Sequence, residues 1–350
     1  MKKLMARIRM TEEAMSDLVA SEASFRNGMT DEKTRLVDDI ARREEHALGM
    51  DGRGVMALVD TGSSGTVVEL DAPGNITGDN FGNRFIDVGM FLAFINPASG
   101  ALRNTTIEQV TAVSADGSDV TLTADPTVTE NDYVVHAANT SVTTVLDTSY
   151  EKAYWGLPAL VDDGTNRSNY FGINRDLVTS LESYVVASVG ALSIDVAQRT
   201  ADVVFQKLGG IINLIIMHPS VRREFIKLQD QDRRYSTSAT LMNPDPGTRA
   251  FKQGDLTLGE VPVKAIRSIG LNQVFFLDTE KMGGKRYVAE KGKFMDRDGS
   301  VWVREGTGST ARHAYEATWF TRKQFFLKNP GVCARWDGVT GQTLVVVRDL

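Results

Sequence analysis

Between Thr30 and Leu48 the apolar positions recur at helical spacing. Leu36, Val37 and Ile40 form a narrow stripe among many charges, and the glycine in Gly49-Met50-Asp51-Gly52-Arg53-Gly54 supplies a stop. A first helix is predicted ahead of it, with Thr11 as cap, Glu12 and Glu13 in the first turn, and Met15, Leu18 and Val19 following at helical spacing. The first fifty residues therefore read as two helices, interrupted at Gly28 and resumed at Thr30-Asp31-Glu32. A stripe this thin on so charged a helix predicts that it lies across a surface or between subunits.

From Val55 the period shortens to two. Val67-Val68-Glu69-Leu70, Phe85-Ile86-Asp87-Val88, Ile107-Glu108-Gln109-Val110, Val120-Thr121-Leu122-Thr123 and Tyr133-Val134-Val135 read as short strands. Turn residues separate them: Gly62-Ser63-Ser64-Gly65, Pro73-Gly74, Ala98-Ser99-Gly100 and Asp116-Gly117-Ser118. Several short strands with no helix signal predict a small antiparallel barrel or sandwich. Residues 59–73 and 113–126 look alike, which is hairpin convergence and not a repeat.

Past residue 140 the pattern is mixed. Ser193 is placed to cap a helix with Ile194, Ala197, Ala201, Val204, Phe205 and Leu208 on one face, stopped by Gly209-Gly210. A buried strand over 211–217 follows. His218-Pro219-Ser220 then turns into a helix with Val221, Phe225 and Leu228 on one face and Arg222, Arg223 and Lys227 on the other. After a polar loop over 236–254 the chain is β-rich: 261–269, 274–277, a hairpin turning at Asp298-Gly299, and an aromatic stretch over 315–327.

Composition narrows the class. A length of 350 residues predicts two or three domains, and 42% hydrophobic with 24% charged residues is globular. The single cysteine, Cys333, excludes an intramolecular disulfide framework, and His46, His136, His218 and His313 show no metal-ligand spacing. No stretch is long and apolar enough to span a bilayer, and Arg7 and Arg9 interrupt any signal-peptide core, so a soluble, intracellularly made protein is expected.

Charge is uneven. The chain carries a net −6, yet residues 51–150 hold 13 acidic residues against Arg53, Arg84 and Arg103 and no lysine, a local −10. Phosphate and anionic membranes would repel such a segment, so it is read as a solvated domain surface. A dedicated nucleic-acid binder would be basic. Arg222, Arg223 and Lys227, continued by Arg233 and Arg234, could meet nucleic acid or an acidic neighbour, but a solvated helix face or subunit contact is favoured.

The sharpest motif is Leu58-Val59-Asp60-Thr61-Gly62-Ser63-Ser64, which resembles an aspartic-protease strand. That chemistry needs two carboxylates sharing a proton, and the second-loop candidates, Asp147-Thr148-Ser149 and Asp278-Thr279-Glu280, lack the glycine. A β-turn uses Asp, Gly and Ser anyway. Asp296-Arg297-Asp298-Gly299-Ser300 is out of register for a calcium loop and reads as a hairpin turn; Gly306-Thr307-Gly308-Ser309 lacks the P-loop lysine. Asn75, Asn104, Asn139 and Asn166 head glycosylation-type triplets without a signal peptide to give them meaning. His218, ahead of Pro219, is read as a capping or packing residue. No catalytic, cofactor-binding or metal-ligating residue is assigned, and no cofactor is expected.

The order of parts resembles the major capsid proteins of tailed bacteriophages, the HK-ninety-seven-like shell fold. The residues that carry it are the charged helix ending in Leu48-Gly49-Met50-Asp51-Gly52-Arg53-Gly54, the β-barrel insertion behind it, and Gly156-Leu157-Pro158-Ala159-Leu160-Val161-Asp162-Asp163-Gly164. Tyr170-Phe171-Gly172-Ile173-Asn174-Arg175, Ile215-Ile216-Met217-His218-Pro219-Ser220 and the closing Lys328-Asn329-Pro330-Gly331 complete it.

The resemblance implies an α+β chain. Residues 1–50 would form an N-terminal arm, short extended loop and spine helix; 51–138 an inserted acidic β-barrel; 139–190 peripheral strands and a connection; 191–310 the axial domain; and 311–350 the return to the peripheral domain. It further implies a non-enzymatic virion protein, assembled in the host bacterial cytoplasm. The chain would self-associate into pentamers and hexamers of an icosahedral head around double-stranded DNA, touched loosely and without sequence preference. A scaffolding protein, a portal and a cement or decoration protein would be its partners, with no membrane contact and no Lys–Asn cross-link assigned. The short lead into the spine helix implies a scaffold supplied by another protein. Residues 49–54, 236–254 and 306–308 are the expected hinges. An encapsulin-like or gene-transfer-particle shell is the nearest alternative; a tail or fibre β-protein and the protease are rivals of other classes.

Overall fold

The computed structural model describes residues 2–11, 22–103, 107–137, 144–145, 148–233, 256–258, 261–295, 303–304 and 314–340. The chain opens with a strand, β1 (Lys2–Thr11), followed by one helix, α1 (Glu22–Leu48). Strands β2 (Val55–Val59), β3 (Val67–Asp71), β4 (Phe91–Ile95), β5 (Glu108–Val113), β6 (Asp119–Leu122) and β7 (Tyr133–His136) come next. A short helix α2 (Leu157–Leu160), a two-strand hairpin β8 (Asn169–Tyr170) and β9 (Ile173–Asn174), then β10 (Tyr184–Val186) and β11 (Gly190–Ala191) lead to α3 (Ile194–Leu208). The remainder is β12 (Leu214–Met217), α4 (Pro219–Arg233), β13 (Leu256–Leu258), β14 (Val261–Ala265), β15 (Val274–Leu277), β16 (Lys285–Phe294), β17 (Val303–Arg304), β18 (Ala314–Phe326), β19 (Ala334–Trp336) and β20 (Val339–Thr340).

The acidic segment closes into an antiparallel barrel in the order β2-β3-β6-β5-β4-β7. Its interior is filled by Met56, Val59, Val68, Leu70, Phe85, Ile86, Leu92, Phe94, Val110, Val120, Leu122 and Val134. One wall is buried on both sides, because Tyr150 and Val145 pack outside it against Val55, Leu58, Ala93, Ile95 and Val135. That is why β2 and β4 are apolar runs without alternation. The strand predicted over Phe85–Val88 is absent: Gly82–Phe85 is a 3-10 turn whose Phe85 and Ile86 plug the barrel, and the strand lies at β4 instead.

A six-stranded mixed sheet, β10-β19-β15-β12-β14-β13, forms the second body. Alternation along its strands serves two cores. Ile215, Met217, Phe276, Ala334 and Trp336 face Ala197, Val204, Val221 and Phe225 of the helices, and Ile216, Phe275, Leu277 and Cys333 face Leu160, Val161, Tyr170 and Leu327. Ser193 occupies the cap position of α3 without a side-chain bond, and Gly209 closes the helix in the left-handed region. Phe205, predicted on the apolar face, is 59% exposed, and the predicted 211–217 strand begins only at Leu214, leaving Ile211 62% exposed.

The third layer is a long antiparallel sheet, β1-β18-β16, with β17 also on β18. Residues 2–11 are thus strand where helix was expected, paired from Lys2↔Lys323 to Thr11↔Ala314. The helix predicted at 12–21 lies outside the described residues. Nor does Gly28 interrupt α1: a helix-interior glycine costs only ~1 kcal/mol, and the helix continues unbroken through Thr30. Leu36 and Ile40 are buried while Val37 is 55% exposed, so the stripe is as narrow as its spacing indicates. Lys33 sits over the Phe294 ring and Glu44 pairs with Lys323, which lays α1 along the long sheet.

Candidate functional site

The end of α1 is where all three layers meet. A Cβ at Gly49 would fall on the Ser268 carbonyl, and Gly54, at φ +79, lies against the Ser149 carbonyl. Gly49, Met50, Asp51, Gly52 and Gly54 are buried. In the segment expected to hinge, 49–54, the glycines are demanded by close backbone packing and, at Gly52 and Gly54, by positive φ. The hinges expected at 236–254 and 306–308 lie outside the described residues.

The barrel docks on this joint through buried charge. The Arg84 side chain is only 7% exposed; it bonds Asp79 Oδ2 at 2.8 Å and the Ile269 carbonyl at 3.0 Å. Asp79 also accepts the Leu271 N–H at 2.8 Å, and Asn272 Nδ2 donates to the Thr77 carbonyl at 2.8 Å. Burial presses the Arg84 pKa down while the Asp79 carboxylate holds it up. Arg53 bridges from the other side, to Tyr133 Oη at 2.9 Å and the Asn166 carbonyl at 3.1 Å.

A second node fixes the mixed sheet. Asp162, fully buried, accepts N–H groups of Gly164, Asn166 and Arg167 and pairs with Arg335 at 3.2 Å. Arg335 also reaches the Pro158 and Val161 carbonyls and Asp337, while Arg175 takes the carbonyls of Ala159, Asp162 and Leu181. The Gly156–Gly164 motif is thus a carbonyl cage for two guanidiniums.

Between α1 and the barrel lies a cleft of ≈ 350 Å³ lined by Asp39, Arg42, Arg43, His46, Asp87 and His136, among others. Burial, then Asp87 and Glu45 in opposition, leaves His46 with a pKa near 4, and burial with Arg43 nearby puts His136 at about 4.

The motifs read from sequence do not converge. Asp60 caps its own turn, accepting the Thr61 N–H at 2.7 Å, while Asp278 closes the end of β15, accepting N–H groups of Ile211, Glu280 and Lys281. One belongs to the barrel and the other to the mixed sheet, and Asp147 lies outside the described residues. So do residues 296–300 and 306–309, Asn104, Asn139 and Arg234. Asn75 donates to Asp51 at 2.9 Å. His218 Nδ1 accepts the Ser220 N–H at 3.1 Å, a cap as expected. On α4, Arg222 is half-buried, Arg223 and Lys227 are exposed, and Lys227 pairs with Glu224 at 2.6 Å. Among the described residues no group of three His, Cys, Asp or Glu could hold a metal, and no helix is long and apolar enough to cross a membrane. The nodes built by Arg84, Arg175 and Arg335 carry no local sequence signal: Arg84 and Arg335 take carbonyls from distant segments, and Arg175 takes three that the turns around it bring together.

No protein-family model and no curated protein matches the chain. Among solved structures it is similar to a chain of the cyanophage A-1(L) capsid asymmetric unit, at 10% identity and TM-score 0.39, over 55% of this chain and 60% of that one. It is similar to a chain of the satellite phage P4 procapsid with its size determination protein, at 10% identity and TM-score 0.33, over 97% and 72%. A third likeness is to the capsid of a native GTA particle, at 11% identity and TM-score 0.33, over 84% and 91%. The chain thus spans 60% of the cyanophage chain's length, and at TM-scores this low none of these likenesses fixes its fold.

Proposed function

We propose that this chain is a non-enzymatic, shell-building protein, the major capsid protein of a tailed phage, which closes around double-stranded DNA as pentamers and hexamers. The observation that carries the reading is the asymmetric build. A long charged helix buries only a thin stripe on an extended sheet, and it ends in a tightly packed joint with a compact two-faced sheet whose edge strands β10 and β13 are, among the described residues, unpaired on one side. An element that buries so little of itself is suited to lie against neighbouring copies. On this reading α1 is the spine, the long sheet with 315–327 is peripheral, and the mixed sheet is axial, with β19 as a late contribution to it. The barrel is an outward insertion whose acidity keeps it from DNA. The virion is its destination, reached from the host cytoplasm with scaffold, portal and cement partners.

Exposed Phe205 and Ile211 flank the end of α3 and are nominated for contact between copies. Light scattering behind size exclusion, with negative-stain images, tests this on the chain expressed alone and beside a scaffold. Megadalton particles or discrete pentamers and hexamers are expected. Phe205→Ser with Ile211→Ser should shift them toward monomer while the melting temperature stays within about 2 °C, because exposed substitutions change stability by only ~0.5 kcal/mol. A monomer under every condition, scaffold included, would overturn the reading.

A further inference from the structure

Three of the four histidines lie on the seams that hold the barrel to the rest of the chain. His46, near the end of α1, meets the Phe85 ring of the barrel at 5.0 Å, with Asp87 and Glu45 on one side of its charge balance and Arg267 and Arg42 on the other. His136, the last residue of β7, lines the same cleft and faces Arg43 of α1. His218, between β12 and α4, faces Arg84 of the barrel, itself held by Asp79, while the Arg222 N–H bonds the His218 carbonyl. All three are half-buried. All three lie at a seam in a place poorly reached by water: His136 and His218 have an arginine across it, whereas His46 has Asp87 across it, Arg42 on its own helix and Arg267 on the mixed-sheet side.

We propose that these histidines make the docking of the barrel acid-labile: protonating them separates the barrel from α1 and the mixed sheet before the mixed sheet itself unfolds. A charged imidazole in such a seam loses hydration, and at His136 and His218 it also meets a like charge; both effects oppose protonation while the barrel is docked. Burial is the larger cause at all three, and it outweighs the help that Asp87 and Glu45 give His46. The docked values are about 4, 4 and 3, against 6.5 once water is regained. Because the docked pKa is the lower one, docking is undiminished above pH 6.5 and weakens as pH falls through the interval from there to about 4. Each imidazole shifts the equilibrium toward separation by on the order of 10²-fold across that interval. The proposal holds whether or not the chain builds a shell.

The test is a distance measured in the full chain. Nitroxides are placed at Ala98→Cys, exposed in the barrel, and Gln198→Cys, exposed on α3, and labelled chain is diluted with unlabelled chain. Cys333 is fully buried, its thiol pushed up to about 12, and stays unlabelled. All four tryptophans lie outside residues 51–138, so their fluorescence reports the rest of the molecule. One narrow distance is expected at pH 7.5 and a reversible broadening by pH 4.5, with the tryptophan signal retained. His46→Gln, His136→Gln and His218→Asn should each lower the midpoint, and together remove the transition. A distance unchanged at pH 4.5, a tryptophan signal lost with it, or variants that broaden like the parent would overturn the proposal.

Discussion

The barrel and the mixed sheet solve the same problem in opposite ways. The barrel closes on itself, so every strand has two neighbours and its surface offers side chains only. Among the described residues the mixed sheet stays open: β10 and β13 each have one partner there, and the parallel pairs β10–β19 and β12–β14 join segments far apart in sequence. The barrel is built from 82 consecutive residues, Val55 to His136, whereas the sheet gathers strands from Tyr184 to Trp336. Closure with local contacts makes an independent unit, and openness with long-range contacts makes a unit that depends on every segment it collects. Their buried charges follow suit. Asp162 with Arg335 lies inside the body and holds it together; Arg84 with Asp79 lies at a seam and holds one unit to another.

The sharpest way to break this comparison is to unpair each node. Asp162→Ala leaves three part-buried N–H groups without their acceptor and Arg335 with Asp337 alone, and about 3 kcal/mol of global stability should go, seen as an earlier urea midpoint by every probe. Arg84→Ala strips Asp79 of its cation at the seam. There the loss, up to ~3 kcal/mol, should appear in hydrogen exchange at residues 269–272 while the barrel interior keeps its protection. Equal exposure of both units in the two variants would dissolve the distinction.

Asp71 sharpens the comparison at lower cost. Burial first, then the Asp60 and Glu130 carboxylates, pushes its pKa up to about 6. A folded-state value above the unfolded one means the ionised carboxyl strains the barrel above pH 6, less so toward 3.8, and not at all below. Asp71→Asn should therefore raise stability at pH 7.5 by about 1 kcal/mol, discounted for its partial exposure, and by nothing at pH 3.5. Thermal melts at the two pH values read it. The smallest effect belongs to Asp60→Ala, which removes a turn bond and should cost under ~1 kcal/mol without altering particle formation; loss of a proteolytic activity in that variant would revive the protease.

Much of this architecture is legible in the residues. The stop at Gly49, most barrel strands, α3 with Gly209, and the cap at His218 all follow from local pattern. The opening strand is legible too: Leu4, Ala6, Ile8 and Met10 alternate with Lys3, Arg7 and Arg9, a period of two that only Met5 interrupts. Phe85-Ile86 misled because burial and strand are separate properties, and a plug residue needs only the first. The seams were beyond reach for another reason. Nothing near Arg84, Arg175 or Arg335 says that it is buried, since a guanidinium is admitted to a core by carbonyls that the fold alone brings together.

Val55 pairs with Val135, so the chain enters and leaves the barrel on neighbouring strands, roughly 5 Å apart. A gap that narrow can be bridged by a residue or two, and the joint at 49–54 stands just outside it. The connection itself thereby makes no demand on what occupies the loop. What ties this barrel to its socket is the seam of Arg84, Asp79 and Thr77 with residues 269–272, and a domain exchanged for it would have to satisfy the polar groups that seam leaves behind.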